Sequence, residues 1–279
     1  MLPPNSQRTT ALTSLPDHPI GVFDSGAGGL TVVRSILCRM PLERVVYFGD
    51  TGYVPYGPRP AEQIRCFAVD ACRFLRDHGA KLIVMGCNMS SAMALVQARA
   101  AVDCPVLGTI DAGASAAVEA TRTGRIGVAA TEGTVRSGAY ARAIRALLPS
   151  AEVYEQPCPL LVPAVEAGVQ DGLLDEAVQE SVGPLAVHRP DTVILGCTHY
   201  PLVRDEIQAC LGRDVRLVDP ADSLAERAAA ELAGRALEAT EKPPTRLVCH
   251  ASGPPDSLQL WARRVLGLDL PEVGRIDIH

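Results

Sequence analysis

Two cysteines stand in matching surroundings. Cys87 ends the run Lys81-Leu-Ile-Val-Met-Gly-Cys-Asn88, and Cys197 ends Asp191-Thr-Val-Ile-Leu-Gly-Cys-Thr-His199. Each is a short apolar run closed by Gly-Cys and a polar residue, the pattern of a buried parallel strand that delivers a side chain to the end of its sheet. Two thiols facing one another across a small molecule can take a proton from one face of a carbon and return one to the other. That exchange inverts a stereocentre in either direction, with the two roles switching. A thiol of ordinary pKa, about 8.5, serves as a base at neutral pH only with help from a neighbour. Asp24, Glu166 and His199 are the candidates. Carboxylates repel a thiolate, so Asp24 and Glu166 fit as hydrogen-bond partners or proton relays.

The other thiols invite plainer readings. Cys38, Cys66, Cys72, Cys104 and Cys210 read as small core residues, and Cys249-His250 as structural. A metal set of Cys87, Cys197, His199 and Asp24 matches no usual zinc spacing, so no metal is expected. Lysine occurs only at Lys81, opening a strand, and Lys242, in a Glu-Lys-Pro-Pro connection. Neither is placed to carry pyridoxal phosphate as a Schiff base, and no cofactor is expected.

Composition narrows the field further. With 279 residues, 47% hydrophobic and 21% charged, the chain can bury one large or two modest cores. A net charge of -6 and the lack of a basic stripe exclude a nucleic-acid footprint. No stretch is long and apolar enough to span a bilayer. Nine cysteines, an odd number without a Cys-x-x-Cys pair, and a start lacking a signal peptide suggest free thiols in a reducing cytoplasm.

These thiols need elements to position them. Residues 1–17 are polar and aperiodic, and a disordered leader is expected. Ile20-Gly-Val-Phe23 begins a strand, and Asp24-Ser-Gly-Ala-Gly-Gly29 turns it into a helix near Leu30. This turn is either a cradle for a carboxylate or phosphate, with Asp24 and Ser25 at its lip, or a plain strand-to-helix connection. Thr31 occupies the place of a third glycine, so a dinucleotide fingerprint is incomplete. The loop Asp50 to Gly57, after a strand at Val45 to Gly49, is either turn chemistry or a second ligand-facing loop. Helices are expected over 60–78, 90–101, 112–121, 171–187, from 201, and over 221–239 and 256–266, with strands at 105–108, 215–219 and 246–252. Alternating apolar runs and helical stretches give a largely parallel sheet covered on both faces.

The pattern restarts at Ile126. Ile126-Gly-Val128 echoes Ile20-Gly-Val22, Val135-Arg-Ser137 echoes Val33-Arg-Ser35, Val153-Tyr154 echoes Val46-Tyr47, Pro163 echoes Pro55 and Gly196-Cys197 echoes Gly86-Cys87. Their shared order, at offsets a little over a hundred residues, indicates a duplicated α/β unit. The fold class is therefore α/β, two similar doubly wound parallel-sheet domains related by pseudo-symmetry, with the active site in the cleft between them. The first domain is expected over 18–108 plus 219–279, the second over 109–218.

Val22-Phe-Asp-Ser-Gly-Ala-Gly-Gly-Leu30, Tyr47-Phe-Gly-Asp50 with Pro55-Tyr-Gly57, Gly86-Cys-Asn88 and Leu195-Gly-Cys-Thr-His-Tyr-Pro-Leu202 together resemble the glutamate racemases of the aspartate/glutamate racemase superfamily. The resemblance runs from about Pro19 to Asp219. It implies a cofactor-independent racemase supplying D-glutamate for peptidoglycan, as a homodimer. It further implies that Cys87 works on the D enantiomer and Cys197 on the L enantiomer, assisted by Asp24, Glu166 and His199. Substrate contacts would fall on Asp24, Ser25, Tyr56, Gly57, Asn88, Met89, Thr198 and His199, with Thr131 and Thr134 near the cleft. One departure stands out: the family usually has Cys-Asn-Thr-Ala-Ser where this chain has Cys87-Asn-Met-Ser-Ser91. Met89 offers only its backbone N–H where threonine offers a hydroxyl, and Ser90 is displaced by one residue. Losing one such bond costs about 1.5–3 kcal/mol, which leaves a related racemase acting on aspartate or another amino acid as the alternative. A binding protein that turns nothing over and a nucleotide-binding enzyme using the Asp24 to Gly29 loop are the other readings.

Overall fold

A computed structural model describes residues 15–169, 172–270 and 272–279. Most of the expected leader and the expected helix start at Asp171 lie outside these residues. The remainder of the leader is anchored, because the Pro16 carbonyl accepts a hydrogen bond from the Lys81 ammonium.

The chain begins with β1 (Ile20–Asp24), α1 (Leu30–Arg39), β2 (Val45–Gly49), α2 (Ala61–Asp77), β3 (Leu82–Met85), α3 (Asn88–Ala101), β4 (Val106–Gly108) and α4 (Thr109–Ala120). It continues with β5 (Arg125–Ala130), α5 (Glu132–Ser137), α6 (Ala139–Leu147), β6 (Glu152–Pro157), α7 (Leu161–Glu166), α8 (Gly172–Val182), β7 (Thr192–Gly196), α9 (Arg204–Leu211) and β8 (Arg216–Val218). Last come α10 (Pro220–Gly234), β9 (Leu247–Ala251), α11 (Pro255–Leu266) and β10 (Val273–Arg275). Among the described residues all strand pairings are parallel, and they form two sheets, β10-β9-β2-β1-β3-β4 and β6-β5-β7-β8. Strands β1, β2, β3 and β7 are buried along their whole length, as strands covered by helices on both faces must be.

Register establishes the pseudo-symmetry. Phe23 pairs with Met85 in the first sheet and Ala129 with Leu195 in the second, so Gly86-Cys87 and Gly196-Cys197 occupy equivalent steps at the carboxyl ends of β3 and β7. The β2 echo is one residue off: Ile20 pairs with Val45 while Ile126 pairs with Val153, making Val45 rather than Val46 the counterpart of Val153. In a strand that single step turns a side chain to the other face. Pro55 and Pro163 also differ in setting, one in a loop and the other inside α7.

The first sheet is completed from the far end of the chain, since β9 pairs with β2 and β10 with β9. Strand β10 escapes the sequence pattern, being three residues long. Helix α10 packs on both α1 and α4, and Ser35 Oγ donates to Asp222 at 2.9 Å while Arg227 donates to Ser115 at 2.6 Å. Its N-cap is Asp219, which accepts the Ala221 N–H at 2.9 Å, with Pro220 in the first turn. The helix stops at Gly234, short of 239. Residues 183–188 form a 3₁₀ helix rather than the end of an α-helix, and another 3₁₀ turn, Tyr200–Val203, precedes α9.

Cys72 and Cys104 are core residues, but Cys38 and Cys66 are exposed and Cys210 is half-buried. Cys38 and Cys66 lie on the outer faces of α1 and α2, while Val33 and Ile36, and Phe67, Ala68 and Ala71, take the inner faces. Lys81 is fully buried beside Glu43 at 2.7 Å, and its ammonium also donates to the Pro16 and Leu237 carbonyls. No described helix is long and apolar enough to cross a membrane.

Candidate active site between the two sheets

Both thiols sit at carboxyl ends of parallel strands, where open α/β sheets take their ligands. Cys87 is also the N-cap of α3, its Sγ accepting the Ser90 N–H at 3.5 Å. The exposures of Cys87 and Cys197 are 7% and 9%, so each sulfur faces a nearly closed interior. Burial pushes the Cys87 thiol up, and the neighbouring Asp24 carboxylate adds to the effect. Ser25 and Ser90 hydrogen bonds work the other way. The Ser90 hydroxyl is buried and makes no hydrogen bond among the described residues.

Asp24 ends β1 and is 1% exposed. Burial raises its pKa, while the Gly26 N–H at 2.9 Å, the charge of His199, the Gly29 backbone and Thr198 oppose the rise. Thr198 donates to its Oδ2 at 3.4 Å, and Thr31 donates to the Thr198 carbonyl at 3.2 Å. These two bonds tie the glycine turn of the first sheet to the Cys197 turn of the second. Gly28 makes the approach possible: a Cβ there would lie 2.5 Å from Thr198 Oγ1 and 2.7 Å from His199 Nδ1.

The surroundings of Cys197 carry the opposite charge. His199 Nδ1 lies 3.7 Å from Cys197 Sγ, and its Nε2 lies 3.1 Å from Glu166 Oε1 on half-exposed α7. Burial disfavours the imidazolium and is the largest single influence. Bonds to Cys197 and Glu166, with the charges of Cys197 and Asp24, outweigh it and take His199 up to about 10. The ring stands edge-on to Trp261 of α11 at 5.0 Å, so the C-terminal segment also braces this side.

The remaining expected residues make the following contacts. Thr131 and Thr134, on the turn into α5, share a hydrogen bond at 3.0 Å. Asn88 Oδ1 accepts the Tyr140 hydroxyl at 2.6 Å across the sheets. Arg136 reaches the Gly57 carbonyl at 3.5 Å. Tyr56 donates to the buried Asp50 carboxylate at 2.5 Å, and its phenol is raised by burial and by that carboxylate, with smaller effects from Cys87 and Asp24. Met89 is turned away from any donor role. The three heavy atoms nearest to a Cβ placed on Gly133 of α5 all belong to Met89, with Cε at 2.4 Å and Sδ at 2.7 Å. The thioether therefore fills the space left by glycine on the facing domain.

Sequence alone did not single out Tyr140 or Trp261. Each acts through a partner distant in the chain, and an isolated Tyr or Trp on an amphipathic helix carries no signal beyond core formation. Among the described residues no group of three or more His, Cys, Asp or Glu side chains is arranged to hold a metal. A cavity of about 370 Å³ lined by Asp17, Glu43, Arg44 and Lys242 lies at the amino ends of β1 and β2, the end of the sheet opposite the cysteines.

Residues 32–228 match the family described as Asp/Glu/Hydantoin racemase. The chain belongs to this racemase family. A glutamate racemase of Syntrophus aciditrophicus is 42% identical over 262 residues, covering 94% of this chain and 97% of the relative. The crystal structure of glutamate racemase isoform RacE1 from Bacillus anthracis superposes with a TM-score of 0.89 at 35% identity, covering 94% of this chain and 98% of that one. The Francisella tularensis glutamate racemase, solved in complex with D-glutamate, gives 0.88 at 33% identity over 95% of this chain and 99% of its own. An aspartate racemase from Picrophilus torridus, at 18% identity and a TM-score of 0.53, shares the racemase fold alone.

Proposed function

We propose that the protein interconverts L- and D-glutamate by a 1,1-proton transfer between Cys87 and Cys197. Support comes from the register-matched Gly-Cys strand ends, bridged by the Asp24–Thr198 hydrogen bond, in a chain of the racemase family. Relatives named glutamate racemase, 42% identical over almost the whole chain, favour glutamate over aspartate.

The two thiols divide the work by their electrostatics. With L-glutamate, Cys197, 3.7 Å from the His199 ring, takes the α-proton, and Cys87, whose protonated form is favoured by burial and Asp24, returns a proton to the opposite face. With D-glutamate the roles reverse. Asp24 serves the Cys87 side as a hydrogen-bond partner or proton relay, His199 faces the Cys197 sulfur, and Glu166 holds His199 charged. Backbone and side-chain donors at Ser25, Gly57, Asn88, Thr134 and Thr198 hold the substrate carboxylates, with Met89 contributing its backbone N–H, and oxygen acceptors of the same residues take the amine.

In this reading the chain works as two domains, 18–108 with 219–279 and 109–218, matching the membership of the two sheets. It acts as a cytoplasmic homodimer supplying D-glutamate for peptidoglycan. Nine free thiols suit a reducing compartment.

The test is racemisation with exchange of the α-hydrogen in deuterium oxide. Each of C87S and C197S is expected to lose about 100- to 10,000-fold in rate, and wild-type turnover in either variant refutes the two-thiol mechanism. Exchange on aspartate as fast as on glutamate refutes the substrate.

A further inference from the structure

We propose that His279 is a positioning residue for the reaction, clamping Asp50 so that Asp50 holds the Tyr56 hydroxyl at the Cys87 side of the site. The inference rests on the racemase reading for its kinetic consequence but not for the clamp itself.

The segment after β10 turns back over the loop that follows β2. Ile276 N–H bonds to the Ala251 carbonyl at 2.9 Å, and Tyr53 Oη donates to Asp277 Oδ1 at 3.0 Å. This delivers the His279 ring into an aromatic slot, 4.3 Å from Phe67 and 4.9 Å from Tyr53 between ring centres. Its side chain is 6% exposed. Nε2 lies 3.2 Å from Asp50 Oδ2, and Nδ1 lies 3.6 Å from Asp70 Oδ2 on α2.

Asp50 is fully buried, and a buried carboxylate needs donors or a cation. It accepts Ser252 Oγ at 2.6 Å on Oδ1, and Tyr56 Oη at 2.5 Å together with His279 on Oδ2. His279 supplies the imidazole of the set. Burial alone would discharge the ring, but Asp50 and Asp70 outweigh it and raise its pKa. The other charged or titratable groups around this slot are Tyr53, Asp277 and Arg59, whose guanidinium lies 5.5 Å from the Phe67 ring. Asp50 is also fixed through its backbone, donating to the Asp24 carbonyl at 2.9 Å. The chain His279, Asp50, Tyr56 thus runs from the segment after β10 to a phenol in the buried cluster that also holds Cys87 and Met89.

Side-chain geometry sets the test. A glutamine at 279 can place its amide nitrogen near the Nε2 position and keep the Asp50 bond, whereas an asparagine reaches only the Nδ1 position. Hydrogen exchange of the full-length protein should show amides of residues 50–57 exchanging faster in H279A and H279N and near wild type in H279Q, with residues 192–203 unchanged in all three. In glutamate racemisation, H279A should raise KM about tenfold with kcat within about twofold, and should add nothing further in a Y56F background. Unchanged exchange in H279A, or a KM effect that persists undiminished in Y56F, overturns the clamp. Wild-type protein that leaves glutamate untouched defeats the racemase reading, and the exchange of residues 50–57 still decides the clamp.

Discussion

The Met89–Gly133 contact predicts a change of sign that no local argument would give. Adding a methyl group at Gly133 puts a carbon 2.4 Å from Met89 Cε and 2.7 Å from Sδ, and the next atom, Met89 Cγ, is already at an ordinary 3.6 Å. With methionine present, G133A forces the buried thioether into another rotamer, at about 1–3 kcal/mol for overpacking. Alanine's better helix propensity returns only about 0.5–1 kcal/mol. Threonine at 89 carries no atoms beyond the γ position, so in the M89T background the same substitution loses the two close contacts and keeps only the propensity gain. The urea unfolding midpoint should therefore fall on G133A in the wild-type chain and rise on G133A in M89T. Because the contact joins the turn after Cys87 to the helix carrying Thr134, M89T should also lower KM for glutamate by restoring a hydroxyl. Shifts of G133A that are equal in both backgrounds, within the roughly 0.3–0.5 kcal/mol expected of independent sites, would refute the reasoning.

Two further outcomes follow from the charges. E166Q removes one of the bonds that raise His199, so the alkaline limb of the racemisation rate should move to lower pH, by less at high salt because Glu166 is half-exposed. The stability contributed by His199 is complete below its unfolded value of 6.5 and is lost as pH rises through about 10, and E166Q should pull the upper edge of that window down in thermal melts. K81M leaves Glu43 buried without its cation and should cost about 3–5 kcal/mol, whereas K81M with E43L should recover most of the loss in urea unfolding.

Sequence periodicity reached what is local or repeated. The Gly-Cys echo held in register because a strand end followed by a helix is written in a few contiguous residues, and duplication wrote it twice. The Val153 echo slipped by one because Val45 and Val46 are identical residues, and only hydrogen-bond pairing tells which faces which way. Cys38 and Cys66 were misjudged because residue type gives an average burial, while the helix face decides the particular case. The convergence on Asp24, with Thr198 and His199 arriving from the second sheet, was legible only through resemblance. Tyr140, Trp261 and His279 had no such help, since their partners Asn88, His199 and Asp50 lie 52, 62 and 229 positions away.

The placement of β9 beside β2 also orders events during synthesis. Strands β5 to β8 are contiguous, so their sheet can close while the remaining chain is still being made. The other sheet must wait with the edge of β2 open, a row of unpaired amides of the kind that recruits other chains. A ribosome stalled before Leu247 would release a chain whose later half is assembled and whose earlier half is still prone to aggregate.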